Sequence, residues 1–416
     1  MLSLAGVAAL AACTTQPRGK SRSSARVVVV GGGFGGLTCA RALRAADPSL
    51  HVSLIEPNPR YVACPFSNLV IAGERTLSEQ TFDYVGADRD GIEVVHDRVV
   101  GVDPVARTAR LGRGGTVFYD RLVLAPGIAL HYDALPGYDA SATERMPHAW
   151  QAGPQTHLLA RQLTAMPDGG TVVIAAPPNP YRCPPGPYER ASLIAHYLST
   201  HKPRSKLLIL DPKDRFSKQG LFLSAWSRLY GTLIEWQGLS DGARVVSVDA
   251  GNMTLETDFD VVRANVANVI PPQRAADVAR QAGVADASGW CPVAAATFES
   301  TRVPDIHVLG DAAIANAMPK SAFAANAQAK LCAVQIARTL RGEPPLDTKL
   351  INTCYSLLTP SYGISVAGVY AQDGERWHEI EGAGGTSPVD ADAATRQLEA
   401  SYASHWFTTI TREVFG

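Results

Sequence analysis

The sequence predicts an α/β fold: two parallel-stranded, dinucleotide-binding-type domains closed by a C-terminal interface region. Three observations predict it. Arg26–Val30 sets four valines in a row, the composition of a strand buried on both faces of a parallel sheet. It runs into Gly31-x-Gly33-x-x-Gly36 and an alanine- and leucine-rich helix, the order that a phosphate-binding strand–turn–helix unit requires. A second such pattern opens at Gly169-Gly-Thr-Val-Val-Ile-Ala176, with another buried strand at Ser205–Asp211.

Taken in order, the strand His51–Ile55 ends in Glu56, 20 residues past Gly36, where a carboxylate accepts hydrogen bonds from an adenosine ribose. A bare glycine pattern is an ordinary turn; these flanks make it a dinucleotide site. Tyr119–Gly127 is a buried strand and tight turn that resembles the Ala-Thr-Gly stretch of two-dinucleotide flavoproteins, with Pro126 in the threonine's place. Ile306-His-Val-Leu-Gly310-Asp311 resembles their second flavin motif, which on that likeness sets Asp311 against a ribityl chain. The two together favour FAD over NAD and a glutathione-reductase-like arrangement of domains. Met318–Lys330 is expected to open a long helix whose N-terminal amides, with Lys320, favour negative charge on a reduced flavin.

No glycine turn follows the strand of the second domain. The chain reads Ala176-Pro-Pro-Asn-Pro-Tyr-Arg-Cys-Pro-Pro-Gly-Pro187, and prolines remove the N–H donors that a pyrophosphate needs. We therefore expect nucleotide-binding topology without a nucleotide, and no entry of electrons from NADH. The expected domains are an export signal and linker at 1–25, an FAD-binding domain at 26–137 and 273–345, an NAD-binding-like domain at 138–272, and the interface region at 346–416.

A net charge of −1 offers no basic surface for nucleic acid, and no run of about 18 apolar residues marks a transmembrane helix. No metal-ligand cluster stands out. Met1–Ala12 reads as the apolar part of an export signal, and Leu10-Ala-Ala-Cys13 resembles a lipoprotein cleavage box. This places the chain in the periplasm, with Cys13 a candidate lipid anchor.

Of the seven cysteines, Cys39, Cys291 and Cys332 read as small buried residues. Cys183 lies in the proline-rich loop, where it would face the flavin, and Cys354 lies beyond the flavin helix. Disulfide reductases of this architecture carry two cysteines five residues apart on the first flavin helix, a pattern absent here. A redox disulfide would join distant segments, Cys183 with Cys354 being the favoured pair and a purely structural disulfide the alternative. Cys64, on the loop leaving the strand that ends in Glu56, is either a spectator or a point of flavin attachment.

The whole of 26–416 resembles the flavoprotein subunit of flavocytochrome c sulfide dehydrogenase. The residues that carry the likeness include Leu54-Ile-Glu-Pro-Asn58, Pro147-His-Ala-Trp150 and, most specifically, Arg182-Cys-Pro-Pro-Gly-Pro-Tyr-Glu-Arg-Ala-Ser192. Gly289-Trp-Cys-Pro-Val293, Met318-Pro-Lys-Ser321, Asn352-Thr-Cys-Tyr-Ser356 and a terminal Phe-Gly extend it. The resemblance implies a redox disulfide between Cys183 and Cys354, an acid/base role for Glu189 and a thioether from Cys64 to the flavin. It also implies a c-type cytochrome subunit as electron acceptor and hydrosulfide or polysulfide as substrate. Pro65-Phe66 departs from the aromatic–aliphatic pair that the family commonly has after the attachment cysteine. No Cys-x-x-Cys-His occurs, so this chain holds no c-type haem of its own. The rival readings are a sulfide:quinone reductase at the membrane and a non-catalytic flavoprotein assembly partner.

Overall fold

A computed structural model gives the fold of residues 24–416; the stretch expected to be an export signal, with Cys13, lies outside the described residues. In chain order the first domain supplies β1 (Arg26–Val30), α1 (Gly36–Ala46), β2 (His51–Ile55), β3 (Glu93–Val95) and β4 (Arg121–Leu124). The second supplies β5 (Thr171–Ala175), α2 (Gly186–His201), β6 (Lys206–Leu210), α3 (Gln219–Leu229), β7 (Ile234–Gln237) and β8 (Val266–Val269). The chain returns to the first domain with β9 (Ile306–Val308) and α4 (Ala322–Arg341), then ends in β10 (Leu350–Thr359), β11 (Tyr362–Gln372) and α5 (Ala393–Phe415).

The first sheet is parallel in the order β9-β4-β1-β2-β3, with β1 at its centre. Val27 to Val30 pair with Val52–Ile55 on one side and Arg121–Leu124 on the other, and all four valines are buried. The second sheet is parallel in the order β7-β6-β5-β8. The two chain crossings between domains, Ile128–Leu130 outward and Gln273–Ala275 inward, pair with each other as antiparallel strands.

The expected helix from Met318 starts later. Ser321 is extended and its hydroxyl accepts from the N–H of Ala324, which makes it the N-cap of α4; Met318, Pro319 and Lys320 lie before the helix. At the C-terminus, β10 and β11 form a long antiparallel hairpin, and α5 lies against it. The buried positions of α5 include Arg396, Ala400, Ala403, Phe407, Ile410 and Val414, three or four residues apart, so its apolar face is narrow and partly built of alanine. That is why its aromatics look scattered in the sequence.

Candidate active site

The glycine turn is built for close approach. Gly31 has φ +103°, and a Cβ there would lie 2.4 Å from the carbonyl oxygen of Ala125; one on Gly36 would lie 1.8 Å from that of Gly31. No side chain caps α1, and its N-terminus lies beside a cavity of about 290 Å³. Gly31, Gly33, Glu56, Cys64, Gly127, Cys183, Glu189, Gly310, Asp311 and Cys354 all line this one cavity. Three segments far apart in sequence thus converge on it: the flavin motifs, the proline-rich loop and β10.

Two expected cofactor residues do not line it. Gly36 serves the tight packing of α1 on the turn. The Lys320 ammonium is tied to the carbonyl oxygens of Asp311 and Ala313, at 2.8 Å each, and sits over the Trp290 ring. Burial pushes its pKa down to about 8. Lys320 acts instead as a brace, and its own carbonyl accepts the N–H of Cys183 at 2.7 Å.

The cavity fits a flavin nucleotide. The Asp311 Oδ1 is buried without a hydrogen-bond partner, as is the indole N–H of Trp150, and both residues line the cavity. A buried carboxylate oxygen left unpaired is costly unless a donor such as a ribityl hydroxyl arrives. Burial raises its pKa, against the pull of Arg182 and Lys320. Glu56 stands at the end of β2 as expected, where Oε2 accepts from Gly32 N–H and Oε1 from Asn58.

The bridge expected between Cys183 and Cys354 is not formed in the structure. Each is a free thiol, as are the other four cysteines among the described residues. The Cys354 sulfur is engaged instead by the Asn352 side-chain amide, at 3.3 Å. Cys183 sits in the left-handed region at φ +59°, held by Lys320 on one side and, through its own carbonyl, by the N–H of Gly186 on the other. Burial pushes the Cys183 thiol pKa up, the nearby Glu189 and Cys354 push it further, and Arg182 and Lys218 oppose them.

Glu189, in the first turn of α2, is gripped at both oxygens: Oε2 accepts from Asn68 Nδ2 at 3.0 Å and Oε1 from Leu357 N–H at 2.9 Å. Burial raises its pKa although these bonds and Lys218 oppose the shift. A carboxyl held in this way, on a cavity it shares with two thiols, can take a proton and give it up again. Cys64 lines the same cavity, its sulfur 3.9 Å from the Trp150 carbonyl oxygen.

Comparison with known proteins identifies the family. Residues 156–271 match the family described as sulfide dehydrogenase [flavocytochrome c] flavoprotein chain, central. Residues 347–415 match flavocytochrome c sulphide dehydrogenase, flavin-binding, and 25–158 match pyridine nucleotide-disulphide oxidoreductase. The sulfide dehydrogenase [flavocytochrome c] flavoprotein chain of Chlorobaculum thiosulfatiphilum is 62% identical over 45 residues, which are 94% of that relative and 11% of this chain. The chain belongs to this flavoprotein family. The cofactor is accordingly a flavin, FAD.

Mitochondrial sulfide:quinone oxidoreductase of Mus musculus is 24% identical over 316 residues, 68% of this chain; the match spans 65% of that relative's length. The solved sulfide:quinone oxidoreductase of Aquifex aeolicus has the same fold, with a TM-score of 0.73 at 19% identity over 94% of this chain and 92% of that one. Putidaredoxin reductase in its covalent complex with putidaredoxin follows at a TM-score of 0.65 and 16% identity, over 91% and 94% of the two chains.

Sequence reasoning missed four residues that shape the site. Asn68 orients Glu189 and also accepts from Arg190, whose buried guanidinium reaches Asn268 and the carbonyls of His148 and Ala149. Lys218 donates to the Cys354 carbonyl at 2.9 Å and to Ser356 Oγ at 2.8 Å, partners 136 and 138 residues away. Asn352 reaches the Cys354 sulfur. Only this last had a local signal: Asn352, Cys354 and Ser356 alternate along a strand and so share one face.

Proposed function

We propose that this chain is the FAD-bearing subunit of an exported sulfide dehydrogenase that passes electrons to a c-type cytochrome subunit. The observation that carries the reading is the convergence of Cys183, Cys354 and Glu189 on the cavity lined by the flavin motifs. Hydrosulfide attacks one sulfur of a Cys183–Cys354 bridge. A new S–S bond forms, the old one breaks, and the charge of hydrosulfide ends on the thiolate that leaves. The persulfide and thiolate then give up two electrons and one proton and close again with the extra sulfur retained. Glu189 takes the proton. FAD, when bound, supplies the acceptor for the electron pair and a means of passing electrons on singly. Cys64 tethers it through a thioether.

NADH is not the reductant on this reading. Asp211, at the end of β6, holds the place in the second domain that Glu56 holds in the first, yet it is fully buried. It is covered by Tyr188, Trp236 and Lys213, which donate to it at 2.6, 3.1 and 2.6 Å. The relatives favour one other reading, reduction of a quinone. Among the described residues no helix is long and apolar enough to cross a membrane.

The test is a spectrum of the purified protein. We expect flavin to stay with the acid-precipitated protein, sulfide to bleach it, and cytochrome c to reoxidise it faster than a soluble quinone analogue. No bleaching by sulfide or polysulfide refutes the dehydrogenase reading, and preferential reoxidation by quinone replaces it with the rival.

A further inference from the structure

One face of β10 carries three polar side chains in succession, Asn352, Cys354 and Ser356, of which Asn352 and Ser356 are buried. The Asn352 amide is not free to choose its orientation. The Ser321 hydroxyl accepts the N–H of Ala324 at 3.0 Å, and its proton goes to Asn352 Oδ1 at 2.6 Å. With its oxygen so held, the amide turns its NH₂ group toward the Cys354 sulfur, 3.3 Å away. Ser321 and Cys354 line the cavity, and Asn352 is buried between them in the hydrogen-bond chain. A chain of two hydrogen bonds thus runs from the cap of α4, the helix that follows the second flavin motif, to a reactive sulfur.

We propose that Asn352 is a positioning residue that stabilises the thiolate form of Cys354, and that Ser321 fixes its amide for that task. This rests on the reading of Cys183 and Cys354 as the sulfur-handling pair. An amide N–H aimed at sulfur favours the charged form over the neutral one, because a thiolate is the stronger acceptor. On opening of the bridge, HS⁻ and Cys183–S–S–Cys354 give a persulfide, S–SH, on Cys183 and a thiolate on Cys354, with no proton gained or lost. Cys183 is the poorer place for that charge, since burial disfavours its charged form and the Glu189 carboxyl lies beside it. The other titratable groups around Cys354 are Lys218, ahead of α3, and Tyr370 on β11. Neither makes a hydrogen bond to the sulfur among the described residues; Lys218 binds the Cys354 backbone carbonyl.

The experiment reads Cys354 directly. The full flavoprotein is reduced with dithiothreitol, freed of excess thiol, and alkylated with iodoacetamide across pH 5 to 10, with Cys354 labelling quantified by peptide mass spectrometry. A hydrogen bond to a charged group shifts the thiolate equilibrium by roughly tenfold to a hundredfold. Asn352→Leu should therefore slow Cys354 labelling at pH 7 by about that factor and move its midpoint to higher pH. Ser321→Ala should move it the same way by less, and Ser321→Thr, which keeps the hydroxyl, should restore the wild-type profile. Asn352→Leu with an unmoved Cys354 profile overturns the proposal, whatever its thermal stability. So does a Ser321→Thr profile that matches Ser321→Ala. Failure of the sulfur-handling reading shows differently: Cys183→Ser would still bleach with sulfide, whereas the alkylation profile needs no turnover.

Discussion

Replacing Glu189 by glutamine separates its chemistry from its place in the fold. The Leu357 N–H keeps an acceptor in the glutamine oxygen. Asn68 Nδ2 then faces a second NH₂ group, and Asn68 cannot turn over because its Oδ1 holds Arg190 Nε at 3.0 Å. The two facing NH₂ groups each leave a buried donor unpaired, a cost of about 1–3 kcal/mol apiece, offset by removal of a carboxylate that the site buries. E189Q should fold and bind FAD. Loss of a general base removes about 10²- to 10⁴-fold of the rate, so flavin bleaching by sulfide should slow by that factor while reduction by dithionite is unchanged. The pH dependence decides the matter. The base works ionised, so the wild-type rate falls as pH drops through the raised Glu189 pKa, above the ordinary 4.5, and E189Q should lose this acidic limb. Stability runs the opposite way. A carboxyl whose folded pKa is raised contributes fully below 4.5 and loses that contribution as pH rises through the folded value, so wild type should lose ground to E189Q in urea titrations above pH 4.5. Stopped-flow bleaching from pH 5 to 9, with rates expressed per hydrosulfide ion so that the substrate's own protonation drops out, is the assay. An E189Q rate equal to wild type throughout, or an acidic limb that survives, refutes the base assignment.

Three further outcomes follow from the same geometry. Cys64→Ser should bind FAD yet release it into the supernatant on acid precipitation, whereas wild type keeps it; retention in the variant would exclude the thioether. Lys218→Met loses the hydrogen bonds to Cys354 and Ser356 but also a buried cation whose pKa burial lowers to about 8. The unfolded chain binds that proton up to about 10.5 and the folded chain releases it near 8, so wild type should gain stability on K218M as pH rises between those values; a difference constant in pH would refute this. Gly36→Ala should abolish flavin binding, since its methyl would meet the Gly31 carbonyl oxygen at 1.8 Å, a gap that no side-chain rotation can widen; absorbance of the purified variant reads it.

Local signals and distant contacts divide what the sequence reveals. The valine strand, the glycine turn and Glu56 were legible because their physics is local: composition sets burial, and spacing sets the turn. The boundary of α4 was misread by four residues since an apolar, alanine-rich run looks helical before its cap, while the Ser321 hydroxyl decides where it starts. Lys320 looked like a charge for the flavin; only the folded chain shows that two backbone carbonyls and Trp290 already hold it. Lys218 and Asn68 left no trace, because their partners lie more than a hundred residues away and nothing in their neighbours distinguishes them from surface polar residues.

The same loop lacks the glycine amides of a pyrophosphate site and carries Cys183. Between β5 and α2 a nucleotide-binding domain would present glycine amides to a pyrophosphate. Here prolines occupy that connection, and the chain turns through Cys183 in a left-handed conformation that few non-glycine residues adopt. Its hydrogen bonds explain how the turn persists. The Cys183 N–H is held by Lys320, which is itself fixed to the second flavin motif, and the Cys183 carbonyl receives the N–H of Gly186 at the start of α2. The loop is therefore anchored to the flavin domain on one side and to its own helix on the other. Gly186 must also be small, since a Cβ there would come within 3.0 Å of the Cys183 sulfur and 2.7 Å of Trp150. Behind the loop, Tyr188 stacks on Phe216 at 3.6 Å and closes over Asp211. These aromatic side chains pack behind the proline loop, which sets Cys183 and Glu189, six residues apart, at the wall of the cavity.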